Sequence, residues 1–178
     1  TNFKKQQRKL MLEGKRPEEC DYCWRVEDSG SNELSDRAYK SAEAWSTPYI
    51  KDIVSKPWDD NVNPSYLEVS FSSVCNLKCS YCSPQVSSKW MEEIKQHGPY
   101  NTSNKFNDLS WLIQTDAMPI PNREHNPYVE AFWKWWPEVS THLHHFRITG
   151  GEPLLTKDTF KVLDDLIANP KPNLEVSI

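Results

Sequence analysis

Three cysteines grouped in one short segment are the residues best suited to chemistry. Cys75, Cys79 and Cys82 follow a CxxxCxxC spacing. Three thiolates this close together can hold three corners of a four-iron cube, which leaves the fourth iron without a protein ligand. An open iron is a place for chemistry, just as an open position separates catalytic metal sites from closed structural ones. The spacing therefore predicts a catalytic iron-sulfur site.

A second motif, Thr-Gly-Gly-Glu-Pro, ends at Pro153. Gly150 and Gly151 carry no Cβ, so the backbone there can approach a ligand closely. Glu152 can accept charge-assisted hydrogen bonds from a cationic ammonium group. The same five residues alone would be an ordinary turn, and they gain meaning only together with the cysteines.

The elements around these motifs follow from the pattern of apolar residues. Alternation predicts strands, and a period near 3.6 predicts helices. We expect strands at 66–71, 144–149 and 174–178, and helices at 86–97, 128–136 and 157–168. Strands alternating with helices imply right-handed crossovers and a parallel sheet. Both motifs follow strands, so they should meet at the carboxyl edge of the sheet, where such folds bind ligands.

Some details of these helices are predicted as well. Val86, Trp90 and Ile94 are spaced to share one face of the first helix. Pro137 is expected to stop the second helix. We expect the third helix to turn four residues inward, namely Phe160, Leu163, Leu166 and Ile167.

The N-terminal part of the chain has a different character. It predicts a helix over 3–14, a turn that carries Cys20 and Cys23, a loop over 28–32 and a helix over 35–45 capped by Ser35 or Asp36. The segment 56–64 is rich in proline, aspartate and asparagine and is typical of a linker. We therefore expect two domains, 1–63 and 64–178, with a long insertion over 83–143. The insertion is interpreted as a substrate lid or a docking surface, or as a disordered loop.

The two motifs together resemble the radical S-adenosylmethionine (radical SAM) superfamily. The match consists of CxxxCxxC after the first strand, an aromatic residue just before the third cysteine, and GGEP after the second strand. The resemblance implies that Cys75, Cys79 and Cys82 hold a [4Fe-4S] cluster. It also implies contacts to S-adenosyl-L-methionine, from Gly150, Gly151 and Glu152 to the methionine amino group and from Tyr81 near the adenine.

The resemblance further implies the fold and the reaction. The expected fold is α/β, a partial parallel (β/α) barrel truncated after about three strands, with a small N-terminal metal-binding appendage. The expected reaction is reductive cleavage of S-adenosyl-L-methionine to a 5′-deoxyadenosyl radical, which abstracts hydrogen from a substrate. An external reductant such as flavodoxin or ferredoxin would supply the electron. The fragment alone is expected to be inactive.

A second resemblance, to the SPASM and twitch segments that accompany many radical SAM enzymes, is carried by Gly14-Lys15-Arg16-Pro17 followed by Cys20, Cys23, Glu27, Gly30, Ser35 and Arg37. That resemblance implies an auxiliary iron-sulfur cluster at Cys20 and Cys23. Two cysteines cannot fill a four-ligand cluster, so zinc or a bare thiol pair remain alternatives. SPASM and twitch enzymes often modify peptides, which favours a peptide or protein substrate by analogy.

Composition limits the other function classes. The net charge is -4, which indicates neither nucleic acid nor an anionic membrane as a partner. The five cysteines cannot all pair with one another, and their spacing favours metal ligation in a reducing compartment, so we expect a cytoplasmic protein. The chain begins and ends inside predicted elements, so we expect an internal fragment of a longer protein. Two alternatives stay open: an iron-sulfur electron carrier, and a binding module stabilised by zinc with a histidine such as His97.

Overall fold

The computed structural model describes residues 2–30, 32–103 and 105–178. The chain divides into two units, one ending at Tyr66 and the other beginning at Leu67. This division falls close to the predicted boundary near residue 63. The predicted loop over 28–32 includes Ser31, and the predicted internal start of the chain rests on Thr1; both residues lie outside the described part.

The N-terminal unit is helical. Its helices are α1 (Asn2–Leu12), α2 (Asp21–Asp28), α3 (Asp36–Ala42) and α4 (Thr47–Ser55). Helix α3 begins at the predicted cap, because Ser35 Oγ accepts a hydrogen bond from Ala38 N–H at 3.2 Å. Sequence patterns predict no helix at α4, which carries a proline in its first turn, where proline is tolerated.

The cysteine pair of this unit is not in a simple turn, which corrects the prediction. Cys20 ends a short 3₁₀ helix, Glu18–Cys20, and is also the N-cap of α2. Cys23 lies in the first turn of α2. Pro17 precedes the 3₁₀ helix, where its missing N–H is not needed. The pair is therefore held at a helix start.

The second unit contains a three-stranded sheet with helices along its chain. The strands are β1 (Tyr66–Ser70), β2 (His145–Thr149) and β3 (Glu175–Ser177), and the helices are α5 (Ser88–His97), α6 (Leu109–Gln114), α7 (Pro127–Val139) and α8 (Lys157–Ala168). The strand order is β1-β2-β3, and β2 pairs with β3 in parallel, with Phe146 opposite Val176. This is a mixed α/β arrangement, and closure into a barrel remains a prediction.

The core of this unit lies between the sheet and helices α7 and α8. Its buried members are Phe71, Phe132, Trp136, Val139, Leu143, Phe146, Ile148 and Val162. On β2 the burial alternates, as a strand with one covered face requires. Helix α7 is joined to α8 by two indole N–H groups, from Trp133 to Asp158 and from Trp136 to Asp165, each at 2.8 Å. These bonds satisfy the polar edges of a half-buried and a buried ring.

Tertiary packing corrects three details of the predicted helices. Pro137 lies inside α7 and does not stop it, because burial of Trp136 and Val139 favours another turn of helix. In α8 the inward residues include Thr159 and Val162. Two residues predicted to face inward, Phe160 and Ile167, are exposed instead. Val86 precedes α5 and is exposed, so it does not share the buried face of Ile94.

Across the described residues, no helix is long and apolar enough to cross a membrane.

Candidate functional site

The loop between β1 and α5, residues 71–87, carries the three cysteines, and we call it the cysteine loop. Cys75 is buried. Its Sγ accepts a hydrogen bond from the Leu77 N–H at 3.4 Å. Backbone donors aimed at sulfur are a known means of stabilising thiolates in iron-sulfur sites. The first cysteine thus sits in a sheltered place with a donor already directed at its sulfur.

Cys79 and Cys82 are half-buried and close one turn of the same loop. The Cys82 N–H donates to the Cys79 carbonyl at 3.0 Å. Burial raises the pKa of the Cys82 thiol, the Ser83 backbone opposes this rise, and Cys75 and Cys79 add to it. Cys75 and Cys79 therefore lie close enough to Cys82 to act on its thiol electrostatically. A bound metal would reverse this tendency, because it favours thiolates.

Tyr81 projects from the loop and is 91 % exposed. A hydrogen bond with Cys79 is the main cause that raises the pKa of its phenol. Its ring packs against little of the protein, so it is free to meet a ligand. The structure therefore places Tyr81 beside Cys79.

The motif after β2 forms a turn, Gly150 to Pro153, that we call the glycine turn. It is joined to the cysteine loop by backbone hydrogen bonds. The Gly151 N–H donates to the Ser72 carbonyl at 3.0 Å, and the Glu152 N–H donates to the Val74 carbonyl at 2.7 Å. The second bond ends one residue before Cys75. The two motifs, 67 residues apart in sequence when counted from Cys82 to Thr149, thus meet in space.

The two glycines explain how this contact is possible. A Cβ on Gly151 would lie 2.2 Å from the Val74 carbonyl oxygen, and one on Gly150 would lie 2.5 Å from that of Ser72. Gly150 also adopts a φ of +123°, which favours glycine. Sequence reasoning predicted that the glycines admit a ligand. In the structure they admit the backbone of the cysteine loop.

Glu152 is half-buried at the end of this turn. Its Oε1 accepts from the Leu154 N–H at 3.2 Å and so caps the short 3₁₀ helix Pro153–Leu155. The Thr159 hydroxyl, fully buried in α8, donates to the Pro153 carbonyl at 2.7 Å. The carboxylate is thus positioned by one backbone donor, and Thr159 fixes the backbone of the turn that follows it.

Part of the predicted insertion forms cavities beside the cysteine loop. The Ser72 hydroxyl is bonded to Asn122 at 2.8 Å. A cavity of about 630 Å³ is lined by Ser72 and Val74 of the loop and by residues including Asn122, Trp133 and Thr156. A neighbouring cavity of about 510 Å³ is lined by β1, by residues 116–120 and by α7. These spaces are of the size that small ligands occupy.

The residues around Cys20 and Cys23 form a network of their own. Trp24 is buried, and its indole N–H donates to the Pro17 carbonyl at 2.9 Å. The guanidinium groups of Arg16 and Arg37 lie 5.2 and 4.1 Å from the centre of its ring. Sequence reasoning named both arginines but missed the tryptophan that joins them; an aromatic residue directly after CxxC was the available signal.

Two carboxylates complete this network. Arg37 pairs with Glu27 and Arg16 with Asp28, each at 2.6 Å. The Ser35 hydroxyl also donates to Glu27. Hydrogen bonds from Ser35 and then Arg37 lower the pKa of Glu27. Four side chains of the segment that resembles SPASM and twitch, Arg16, Glu27, Ser35 and Arg37, are thereby connected around the Trp24 ring.

A site for a single metal ion needs several ligating side chains in one group. Among residues 2–30, 32–103 and 105–178, no three Cys, His, Asp or Glu side chains form a group that could hold a metal ion. His145 contacts Ser177 at 3.1 Å and Glu175 at 3.7 Å, so it belongs to the pairing of β2 with β3. Arg147 lies 3.7 Å from Glu68 across the sheet.

Comparison of the chain with protein-family models, with curated proteins and with solved structures found no match. Any assignment of function therefore depends on the residues and contacts described above.

Proposed function

We propose that this chain is part of a radical SAM enzyme, in which the cysteine loop holds a [4Fe-4S] cluster and the glycine turn binds S-adenosyl-L-methionine. The observation that carries the proposal is the pair of backbone hydrogen bonds that join Gly151 and Glu152 to the residues just before Cys75. A cofactor bound to a cluster at the three cysteines would lie within reach of the glycine turn.

The residues present fit these groups in chemical type. Cys75, Cys79 and Cys82 supply thiolates, which suit iron-sulfur clusters. The irons of a cube lie at separate corners, so its three thiolates can stand farther apart than the ligands of a single ion. Glu152 supplies a positioned carboxylate for the ammonium of the methionine moiety. Tyr81 supplies an exposed ring for the adenine.

Cys75, Cys79 and Cys82 would hold the cluster, which would supply the one electron needed to cleave S-adenosyl-L-methionine into methionine and a 5′-deoxyadenosyl radical for hydrogen abstraction from the substrate. The chain's own residues bind and orient. Cys75 would hold one corner of the cluster, with the Leu77 N–H directed at its sulfur. The cavity of about 630 Å³ beside Ser72 offers room for a substrate side chain.

The remaining parts of the proposal extend to the partners. We propose a peptide or protein substrate, by analogy with SPASM and twitch enzymes, a flavodoxin or ferredoxin as reductant, and a cytoplasmic location, which the metal-ligand spacing of the cysteines favours. We also propose an auxiliary iron-sulfur cluster at Cys20 and Cys23, with its other ligands outside this pair.

The test is electron paramagnetic resonance of the anaerobically reconstituted, dithionite-reduced chain carrying C20A and C23A. These two substitutions ensure that any signal comes from a cluster at the cysteine loop. We expect about four irons per chain, and a cluster signal that shifts when S-adenosyl-L-methionine is added. Cys75→Ala is the control that should lose the signal. A signal that ignores S-adenosyl-L-methionine would support an electron carrier instead, and a chain that binds zinc but no iron would refute the proposal.

A second variant tests the role of Glu152. Glu152→Gln keeps an oxygen that can accept from the Leu154 N–H but removes the charge. Loss of a charge-assisted contact should raise the concentration of S-adenosyl-L-methionine needed for the spectral shift about tenfold. An unchanged concentration would exclude Glu152 from the binding site.

A further inference from the structure

Helix α5 is the first element of the insertion that sequence analysis left as a lid, a docking surface or a disordered loop. Residues of α5 from Ser88 to Glu93 contact the cysteine loop at several points. The Ser88 N–H donates to the Ser73 carbonyl at 2.7 Å. Lys78, between the first two cysteines, pairs with Glu93 of α5 at 2.6 Å. These contacts indicate that α5 supports the loop.

The most specific of these contacts falls on Cys75. Ser88 Oγ accepts from the Cys75 N–H at 3.0 Å and lies 3.3 Å from the Cys75 carbonyl, to which its hydroxyl can donate. One side chain thus engages both backbone polar groups of a buried cysteine. A buried N–H left without a partner is costly, so this hydroxyl has a strong influence on where Cys75 stays.

The second contact falls on Cys79. The Trp90 indole N–H donates to the Cys79 carbonyl at 3.0 Å. The Trp90 ring is itself fixed, because Tyr100 packs edge-to-face against it with centroids 5.4 Å apart. Cys82 lines an apolar cavity of about 190 Å³ together with Trp90, Ile94 and Tyr100. Cys75 and Cys79 therefore contact α5 directly, and Cys82 shares a cavity with it.

We propose that Ser88 and Trp90 are positioning residues, which hold Cys75 and Cys79 in the arrangement that a cluster requires. This inference rests on the proposed function. On this proposal, α5 supports the cysteine loop, so the start of the insertion serves to support the cluster.

The first test uses the metal-free, reduced 178-residue chain and needs no cluster. Alkylation of each cysteine by iodoacetamide is followed by mass spectrometry. In Ser88→Ala, Cys75 should react about tenfold faster, because its unpartnered N–H favours opening of the loop. Ser88→Thr keeps the hydroxyl and should restore slow reaction. Ser80→Ala, an exposed serine of the same loop, is the matched control and should leave Cys75 unchanged.

Two results would overturn the role of Ser88. One is a Cys75 rate that does not change in Ser88→Ala. The other is a rise shared equally by Cys20, since this would reflect general unfolding of the chain and not release of one cysteine.

The second test follows release of iron from the reconstituted chain to a chelator. Trp90→Phe keeps a ring against Tyr100 but removes the donor to Cys79, and iron release should be about fivefold faster. Trp111→Phe on the exposed side of α6 is the control. An unchanged rate in Trp90→Phe overturns its role while leaving the cluster assignment intact. If the wild-type chain takes up no iron, the proposed function fails, whereas the alkylation result still decides whether Ser88 holds Cys75.

Discussion

Cys20 and Cys23 lie at the start of a helix, whereas Cys75, Cys79 and Cys82 lie in a loop between a strand and a helix. Around the first pair, the supporting contacts come from side chains: a buried tryptophan, two arginines, two carboxylates and a serine. Around the triplet, many of them come from the backbone, through the glycine turn. The region around Cys20 and Cys23 depends on charge and aromatic packing. The region around Cys75, Cys79 and Cys82 depends on how closely the cysteine loop and the glycine turn can approach each other.

This difference has a practical consequence. A network of side chains is weakened when a large ring or a charge is removed, and its strength varies with pH. Adding even a methyl group breaks a close backbone contact, because backbone atoms cannot move aside by changing rotamer as a side chain can. The following changes test this contrast, beginning with the largest expected effect.

Trp24→Ala should destabilise the N-terminal unit most. Removing a buried tryptophan costs about 4 kcal/mol in free energy of unfolding, and here both arginines also lose their ring. Hydrogen exchange of the α2 amides would measure the loss. Tyr22→Ala removes an exposed ring from the same helix and should change little. Equal effects of the two variants would show that the network around Trp24 contributes no specific stability.

Gly151→Ala should be the most damaging small change in the second unit. The new methyl would meet the Val74 and Ser73 carbonyl oxygens, at 2.2 and 2.7 Å, and both belong to backbone. We expect the free energy of unfolding to fall by about 3 kcal/mol. Urea unfolding followed by the NMR signals of the buried Ile148 methyl groups would measure this. Gly98→Ala meets no atom within 4 Å, and its positive φ alone should cost about 1 kcal/mol. A smaller loss at Gly151 than at Gly98 would contradict the close approach.

Ser35→Ala should have a moderate effect. Ser35 is buried, caps α3 and donates to Glu27, so its loss should cost about 1 kcal/mol in unfolding free energy. Ser46 occupies the corresponding position before α4 but makes no capping hydrogen bond. Ser46→Ala is therefore a matched control with an expected effect near zero. Both values can be read from hydrogen exchange of the α3 and α4 amides.

The smallest effect concerns pH. Because the folded state lowers the pKa of Glu27 from its ordinary value of 4.5, the carboxylate stabilises the fold above that pH and ceases to do so as pH falls through the lowered value. Wild type should exceed Glu27→Gln in stability at neutral pH, and the gap should close in acid. Urea titrations followed at the Trp24 indole N–H signal would show this. A constant gap would mean that the charge of Glu27 has no part in the network.

Much of the local structure could be predicted from the sequence because its causes are local. The periodicity of residues 157–168 matched α8, and the polar residue Ser35 marked the start of α3. All three strands were found within a residue or two, since each alternates or is bounded by turn residues. The pairing of the two motifs at one edge also followed, because parallel strands bring their ends together.

The sequence by itself determined which residues can ligate, which can turn and where the three strands and most of the helices lie. Tertiary structure alone decided the rest. Helix α7 continues past Pro137, because burial of Trp136 and Val139 outweighs one lost hydrogen bond. Tertiary structure turned Val162 inward and Phe160 outward, and it brought Ser88 and Trp90 onto the cysteine loop. These outcomes depend on contacts between distant segments, whose geometry no local pattern encodes.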